Sequence, residues 1–301
     1  MLCRCRSSAL LLALLPTIGI AQSDSVAVPA DSTTLFMNVD AVYARPLQKS
    51  GIGGVALGGY VEANTRFTGT DGVSEGLSFQ LPRLTLFVAS DISRRVRSLT
   101  EIELEEGGRE INIEFASGDV EFDPLLVLRG GGGMNPIGAF NQNHDGPRWD
   151  FGDRPIASTP IIPSTWSNVG FGLYGKTARA EWAWAYEAYL TNGFDPGIID
   201  NAEGRTWLPA SKENSERFTE SHNGVPLVTL KSALRHARFG EIGLSWMGGV
   251  YNRFAADGLA LDAKRRVDVF AVDFNSAIGE RGPVFVGEWV WALIDVPGTF
   301  A

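Results

Sequence analysis

The chain has almost no cysteine and no long hydrophobic run. Its two cysteines, Cys3 and Cys5, both lie within the first few of its 301 residues, so the rest is predicted to form neither a disulfide nor a Cys-ligated zinc site. Beyond the first residues, no apolar stretch approaches the ~20 residues that a helical membrane span requires. These absences exclude a helical membrane protein, but not a membrane β-barrel, whose strands need only ~10 residues of alternating character.

The first residues have the composition of a secretory signal peptide. Arg4 and Arg6 precede an apolar run over residues 9–15, and small residues end the segment at Gly19 and Ala21, where signal peptidase recognises its substrates. The apolar run is too short to span a bilayer. We therefore expect residues 1–21 to be a signal peptide and the mature chain to be exported.

Positive charge is scarce in the exported part. Removing the two leader arginines leaves 24 basic and 35 acidic residues, a formal charge of −11. Binding to nucleic acid requires clustered Lys and Arg side chains that neutralise phosphates. The acidic balance therefore argues against a nucleic-acid partner.

The hydrophobic pattern divides the exported chain in two. Residues 22–54 are rich in Ser, Ala, Thr and Gly and have no sustained period, which predicts a mobile periplasmic extension with at most a short strand over 35–42. From Val55 onward, apolar and polar residues alternate with a period of two, which is typical of β-strands with one apolar face. Residues 55–301 are thus expected to form an all-β domain.

The clearest unit is a hairpin around Gly107 and Gly108, a dipeptide that favours a tight turn. Counting outward from it predicts one apolar face and one acidic face. The apolar face holds Ile102, Leu104, Ile111, Ile113 and Phe115, and the acidic face holds Glu101, Glu103, Glu105, Glu110 and Glu114. Like charges directly opposite one another destabilise a strand pair unless they are screened, so the acidic face is expected to lie in water and its back against something apolar.

Eleven such strands can be placed, and the connections between them alternate in length. Short ones are predicted at 92–95, 119–123, 175–179, 237–239 and 278–283, and longer ones at 68–76, 135–165, 192–224 and 252–265. Short periplasmic turns and longer outer loops are the layout of a transmembrane β-barrel. Single-chain bacterial barrels have an even number of strands, so an odd count predicts a fragment that lacks its last strands.

One stretch contains specific sequence motifs in addition to the alternating pattern. Residues 130–141 read GGGGMNPIGAFN, residues 143–148 read NHDGPR, and residues 162–166 read IPSTW. This region resembles bacterial outer-membrane porins, in particular the group classed with the phosphate-selective porins, most strongly over Gly58 to Phe194.

The resemblance implies a transmembrane antiparallel β-barrel of the porin type, of 16 to 18 strands when complete, with a water-filled lumen. It implies an outer-membrane location, lipid around the barrel, small hydrophilic solutes or ions as the transported species, and no cofactor. A homotrimer is compatible with it, although no interface can be read from the sequence. Phosphate selectivity is not carried over, because the predicted lumen wall is acidic, and rings of carboxylates favour cations.

The resemblance also points to residues that line the passage. In porins the third outer loop commonly folds into the lumen, and here that loop is Asn135 to Thr165. Its charged side chains are candidates for a constriction: His144, Asp145, Arg148, Asp150, Asp153 and Arg154. The alternative is that Asp145 with Arg148, and Asp153 with Arg154, only pin the loop to the wall as ion pairs.

The lumen wall is expected to carry the acidic face together with three arginines of the same parity. Arg66, Arg83 and Arg97 could screen the glutamates and make a wall of mixed charge. The alternative interpretation of the same pattern is that these residues form the solvent-exposed face of a soluble sheet.

Enzyme-like signals are weak. The segment Gly72 to Gly76 matches Gly-x-Ser-x-Gly, but it bridges two predicted strands instead of leading into a helix. The three histidines have no ligand spacing, so neither a catalytic nor a metal site is predicted. The alternative function is a secreted soluble β-sandwich that binds or cleaves glycans, with Trp166, Trp182 and Trp184 as a sugar platform.

Overall fold

The computed structural model describes residues 35–45, 47–49, 54–148, 154–155, 158–277 and 283–298. Nearly all regular structure in these residues is β. The strands are β1 (Leu47–Lys49), β2 (Val55–Thr70), β3 (Val73–Asp91), β4 (Val96–Glu105), β5 (Glu110–Asp123), β6 (Leu126–Met134), β7 (Ser167–Arg179), β8 (Trp182–Thr191), β9 (Leu227–His236), β10 (Gly240–Val250), β11 (Ala255–Ala256), β12 (Leu259–Ala260), β13 (Arg266–Ala277) and β14 (Val284–Ile294). One four-residue α-helix, α1 (Ala210–Glu213), and several 3-10 turns lie in the connections.

Twelve strands form one antiparallel meander. The order is β1 to β10, then β13 and β14, so that each strand pairs with its neighbour in sequence, while β11 and β12 form a separate small hairpin. All eleven predicted strands are present, with ends that differ by at most five residues. The all-β class and the antiparallel arrangement predicted from the sequence are therefore confirmed.

The hairpin of β4 and β5 shows how the sequence sets the register. Glu106, Gly107 and Gly108 all have positive φ, which glycine adopts without steric cost. Outside this turn, Leu104 pairs with Ile111 and Ile102 with Ile113, as the outward count predicts.

Further from the turn, a β-bulge makes the observed pairing differ from the predicted one. The register shifts between Glu101 and Ile102, so Glu101 lies opposite Phe115 and not opposite Glu114. A bulge places one extra residue on one strand and reverses the side-chain parity beyond it. As a result, Phe115 is buried on the inner face with Glu114, and its predicted place on the outer apolar face is wrong.

The first predicted long connection is also wrong. Strands β2 and β3 continue to a tight turn at Asp71 and Gly72, both with positive φ, so no loop occupies 68–76. Register shifts in this hairpin, at Glu62/Asn64 and Thr68/Gly69, break the regular alternation there. The other three long connections are present, over residues 135–166, 192–226 and 251–265.

The two faces of the meander have opposite character. One face presents exposed apolar side chains, such as Ile111 and Trp289, which are 69% and 74% exposed. The other face is buried and largely polar. Its members include Arg83, Thr85, Glu101, Glu103, Glu187, Thr229, Lys231, Glu241 and Asp273.

The polar face is concave and holds two chain segments. Residues 135–148 reach from Tyr60 of β2, whose hydroxyl accepts from Gly146 N at 3.3 Å, to Glu288 of β14, which accepts from Ala139 N at 2.6 Å. Residues 37–42 lie there too, in part as a 3-10 helix (Asn38–Val42) where a short strand is predicted. The rest of the predicted extension, residues 22–34, 46 and 50–53, lies outside the described residues.

No helix among the described residues is long and apolar enough to cross a membrane.

Candidate functional site

The third loop is folded onto the concave face by its own polar side chains. The Asn141 amide nitrogen donates to the carbonyl oxygens of Asn135 and Trp166, at 2.7 and 3.0 Å, and its oxygen accepts from Trp166 N at 2.8 Å. Ile137 is fully buried in the largest apolar cluster, which also holds Ile162 and Trp166. Both ends of the loop are thereby fixed to each other and to the inner face.

On the side of β9 and β14, strand residues satisfy the loop backbone. Lys231 donates from Nζ to the Gly138 carbonyl at 2.6 Å and lies 3.2 Å from Asp273. Glu288 Oε2 accepts from Ala139 N, and also from Phe140 N at 3.0 Å. We call this set the β9–β14 anchorage.

On the side of β4, charged groups make the contact. His144 Nε2 lies 3.4 Å from Glu101 Oε1, and Asp145 pairs with Arg45. All four side chains are buried, three of them without any exposed surface. Arg148 donates from Nη1 to Asn143 Oδ1 at 2.6 Å and lies 3.7 Å from Asp145. We call Glu101, His144, Asp145 and Arg45 the β4 anchorage.

The charge of Asp145 is stabilised by its neighbours. Burial by itself raises the pKa of this carboxyl, but the Arg45 guanidinium, His144 and Arg148 together hold the pKa below its usual value. These neighbours therefore favour the charged form of the Asp145 carboxyl.

The N-terminal segment supplies site residues that the sequence did not indicate. The Arg45 guanidinium lies 5.7 and 5.4 Å from the ring centroids of Phe87 and Phe115, within cation–π range. Further along, Asn38 N donates to Glu241 at 3.2 Å, and its side chain donates to Asp273 at the same distance. The N-terminal segment has no sustained hydrophobic period, so its sequence did not predict these contacts.

The glutamates of the predicted acidic wall are partly neutralised. Arg83 lies 3.4 Å from Glu103 and 3.7 Å from Glu105, close enough to screen their charge. Glu103 and Glu114 are buried, whereas Glu105 is half-buried and Glu110 is exposed beside the turn. The five glutamates therefore do not form one uniform ring.

The other two predicted wall arginines lie elsewhere. Arg66 is exposed in the outer half of the β2–β3 hairpin, beyond the point where β4 pairs with β3. Arg97 donates to the Tyr174 hydroxyl at 2.7 Å and lies 3.8 Å from Asp119. Asp119 also accepts both bonds of a bidentate pair from Arg129, at 2.8 Å each.

The predicted constriction set is only partly assembled. His144, Asp145 and Arg148 lie together, while Arg154 donates to the Ser164 carbonyl and Asp150 and Asp153 lie outside the described residues. The sugar platform of the alternative function is not formed. Trp166 is fully buried against Phe194, with 5.8 Å between ring centroids, whereas Trp182 and Trp184 are exposed on the opposite face.

The chain has limited similarity to known proteins. No family model matches the chain. Over 147 residues, 46% of this chain, it is 35% identical to a protein of Aquifex aeolicus (strain VF5) described as uncharacterized, and the match covers 32% of that protein. The chain thus spans about a third of the length of that relative.

Among solved structures, the chain is similar to OmpTdeltaL8, a loop L8 deletion mutant of OmpT, an outer membrane protein of Vibrio cholerae. The TM-score is 0.44 and the identity 11%, over 82% of this chain and 72% of that one. A similarity of this degree does not bear on function.

Proposed function

We propose that this chain forms part of the wall of an outer-membrane porin, a β-barrel that lets small hydrophilic solutes or ions diffuse passively across the membrane. No enzymatic step and no cofactor belong to this function. The third loop, residues 135–165, narrows the passage. The proposal rests on the opposite character of the two sheet faces.

In a water-soluble protein the two faces would be exchanged, with the apolar face buried and the charged face exposed. Soluble proteins rarely expose contiguous apolar patches larger than a few hundred Å², and charged side chains are seldom fully buried unless paired. Here the exposed face carries large apolar residues on β2 and β3, on each strand from β5 to β10 and on β13 and β14, while those of β4, Ile102 and Leu104, are half-buried, and the buried face carries Glu, Lys, Arg and Asp. Lipid outside and water or polar protein inside satisfy both faces at once.

The interior arrangement supports a narrow passage. Residues 37–45 and 135–148 occupy the concave face and are mostly buried. A path for solutes therefore runs along the part of the wall that they leave accessible, where Glu105 is half-buried and Glu110 is exposed. Carboxylates at this place favour cations over anions.

The membrane-facing surface can be tested with single labels, because the chain after its leader has no other cysteine. Ile113→Cys and Asn112→Cys are adjacent on β5 and point to opposite faces. In lipid vesicles we expect a fluorophore on residue 113 to be quenched by a quencher on the lipid tails, and one on residue 112 to be quenched by iodide. Iodide quenching at 113 with lipid quenching at 112 would show that the faces are reversed.

The role of the third loop can be tested by shortening it. Deleting residues 146–155 should raise single-channel conductance in planar bilayers, because it widens the narrowest part of the passage. The matched control removes the hairpin tip at Asp257 and Gly258, in a different long loop. A variant with the 146–155 deletion that inserts normally and conducts like the unaltered chain contradicts the constriction.

A further inference from the structure

The β4 anchorage brings three acceptor atoms close together. His144 Nδ1 lies 2.9 Å from the carbonyl oxygen of Asn141. A carbonyl can only accept, so Nδ1 carries a proton, and in the neutral imidazole Nε2 is then an acceptor. Yet Nε2 lies 3.4 Å from Glu101 Oε1 and 4.0 Å from Asp145 Oδ1. Three acceptors this close repel one another unless a proton or a metal ion lies between them, and the Arg45 guanidinium contacts the other oxygen of Asp145, Oδ2.

Two carboxylate oxygens at this place are otherwise unused. Glu101 Oε2 and Asp145 Oδ1 are buried and have no hydrogen-bond partner among the described residues. Buried polar atoms are nearly always paired, because an unpaired one loses its hydration without compensation. Both residues have no exposed surface, so these oxygens are available to bind an ion.

The distances favour a metal ion over a proton. A charge-assisted N–H···O bond is typically about 2.7–2.9 Å long, which is shorter than the 3.4 Å between His144 Nε2 and Glu101 Oε1. Two ligands about 2.1 Å from one metal ion, at a tetrahedral angle, lie about 3.4 Å from each other. One donor atom from each of Glu101, His144 and Asp145 lies within 4.8 Å of the other two.

We infer that Glu101, His144 and Asp145 bind a divalent transition-metal ion of the Zn²⁺ class. One imidazole nitrogen and two carboxylate oxygens without a thiolate suit such ions better than Ca²⁺ or Mg²⁺, which take oxygen ligands. The bond from Nδ1 to a backbone carbonyl is the arrangement that orients metal-binding histidines. The ion ties the third loop to β4, and this inference does not depend on whether the chain conducts.

A second acidic cluster differs in the feature that matters. Glu103, Glu105 and Glu114 also bring donor atoms within 4.8 Å of one another. It contains no imidazole nitrogen, and the Arg83 guanidinium lies 3.4 and 3.7 Å from two of its three carboxylates. Because an imidazole ligand favours a transition-metal ion over Ca²⁺ or Mg²⁺, we assign no such site to this cluster.

The test is Zn²⁺ binding to the purified full chain in detergent micelles, measured by isothermal titration calorimetry after treatment with a chelator. We expect one Zn²⁺ per chain with a dissociation constant in the micromolar range or tighter. Glu101→Gln, which keeps the size of the side chain, should weaken binding by more than the ~10–100-fold typical of changes outside the ligands themselves. The matched control, His222→Ala, removes a partly exposed histidine 3.9 Å from Asp195 and should bind as before.

Thermal unfolding gives a second readout that protects the test against misfolding. Zn²⁺ should raise the melting temperature of the unaltered chain and of His222→Ala, and leave that of Glu101→Gln unchanged, with far-UV circular dichroism showing that all three are folded. Two outcomes overturn the inference: a folded unaltered chain that binds no Zn²⁺, and equal Zn²⁺ binding by the unaltered chain and Glu101→Gln. Either result would show that this cluster does not hold the metal ion.

Discussion

The two faces of a single strand show how this protein distributes its charge. Along β9, Leu230 and Leu234 point outward and are 44% and 43% exposed, whereas Thr229, Lys231 and Ala233, at alternate positions, point inward and are almost completely buried. In a soluble sheet the apolar residues would be the buried ones. The comparison teaches that the period of the pattern defines the strand, but the surroundings decide which face is covered.

The inner face is costly to maintain, and it is maintained by pairing. Lys231 contacts both the Gly138 carbonyl and Asp273, so this buried charge has partners from the third loop and from β13. The outer face is mostly apolar, with few polar contacts such as the bond from Trp246 Nε1 to Asp268 at 3.1 Å, and it depends mainly on an apolar environment. Substitutions on the inner face should therefore destabilise the protein by leaving a buried charge unpaired, and substitutions on the outer face by placing a charge in lipid. The two effects can be measured separately.

The largest effect is expected from breaking the inner network. Lys231→Met leaves Asp273 buried without its cation, which should lower the free energy of unfolding by about 3–5 kcal/mol. The measurement is urea unfolding from lipid vesicles. Arg266→Met is the control, because Arg266 pairs with Asp268 at 3.0 Å but its side chain is 50% exposed, and such pairs contribute at most about 1 kcal/mol. Equal losses in both variants would show that the inner face is hydrated.

The next effect tests the outer face. Ile113→Arg should cost about 2–4 kcal/mol if Ile113 lies near the bilayer midplane, measured by the same unfolding experiment. Val73→Arg is the control. Val73 is more exposed than Ile113, 68% against 54%, but it stands at the tip of the β2–β3 hairpin, beyond the part of β3 that pairs with β4. If both substitutions are tolerated, the exposed apolar face does not contact lipid.

A smaller effect is expected where the loop meets the inner face. Asn141→Ala removes the side chain that bonds Asn135 and Trp166, and leaves a buried backbone N–H of Trp166 unsatisfied, at a cost of about 1–3 kcal/mol. Limited proteolysis should then cut the third loop faster. Asn64→Ala, at an exposed position of β2, should change neither quantity. Unchanged loop cleavage in Asn141→Ala would mean that other contacts hold the loop.

The smallest effect concerns ion selectivity. Converting both Glu105 and Glu110 to Gln should reduce the preference for cations, seen as a smaller reversal potential in a salt gradient, because these are the accessible members of the acidic wall. Glu181→Gln is the control, since Glu181 is 70% exposed in the short β7–β8 turn at the other end of the strands. Anion preference in the unaltered chain, or no change in the double variant, would contradict the acidic-wall interpretation.

Much of the fold was predictable because it depends on local pattern. The eleven long strands, the β4–β5 turn and three of the four long connections follow from period-two alternation and turn residues, which act over a few positions. The errors arose where one residue altered the pattern. The bulge at Glu114 turned Phe115 inward, and the register shifts in β2 and β3 hid a tight turn at Asp71 and Gly72.

The sequence by itself determined the strands, their alternating faces and the acidic character of β4 and β5. Only the tertiary structure decided which charges meet. Glu101 and His144 are 43 positions apart, and Asn38 and Glu241 are 203 apart, so their contacts depend on how the sheet curves and on the path of the third loop. Alternation specifies the direction of each side chain relative to its own strand, whereas the curvature of the whole sheet sets the distance across its interior.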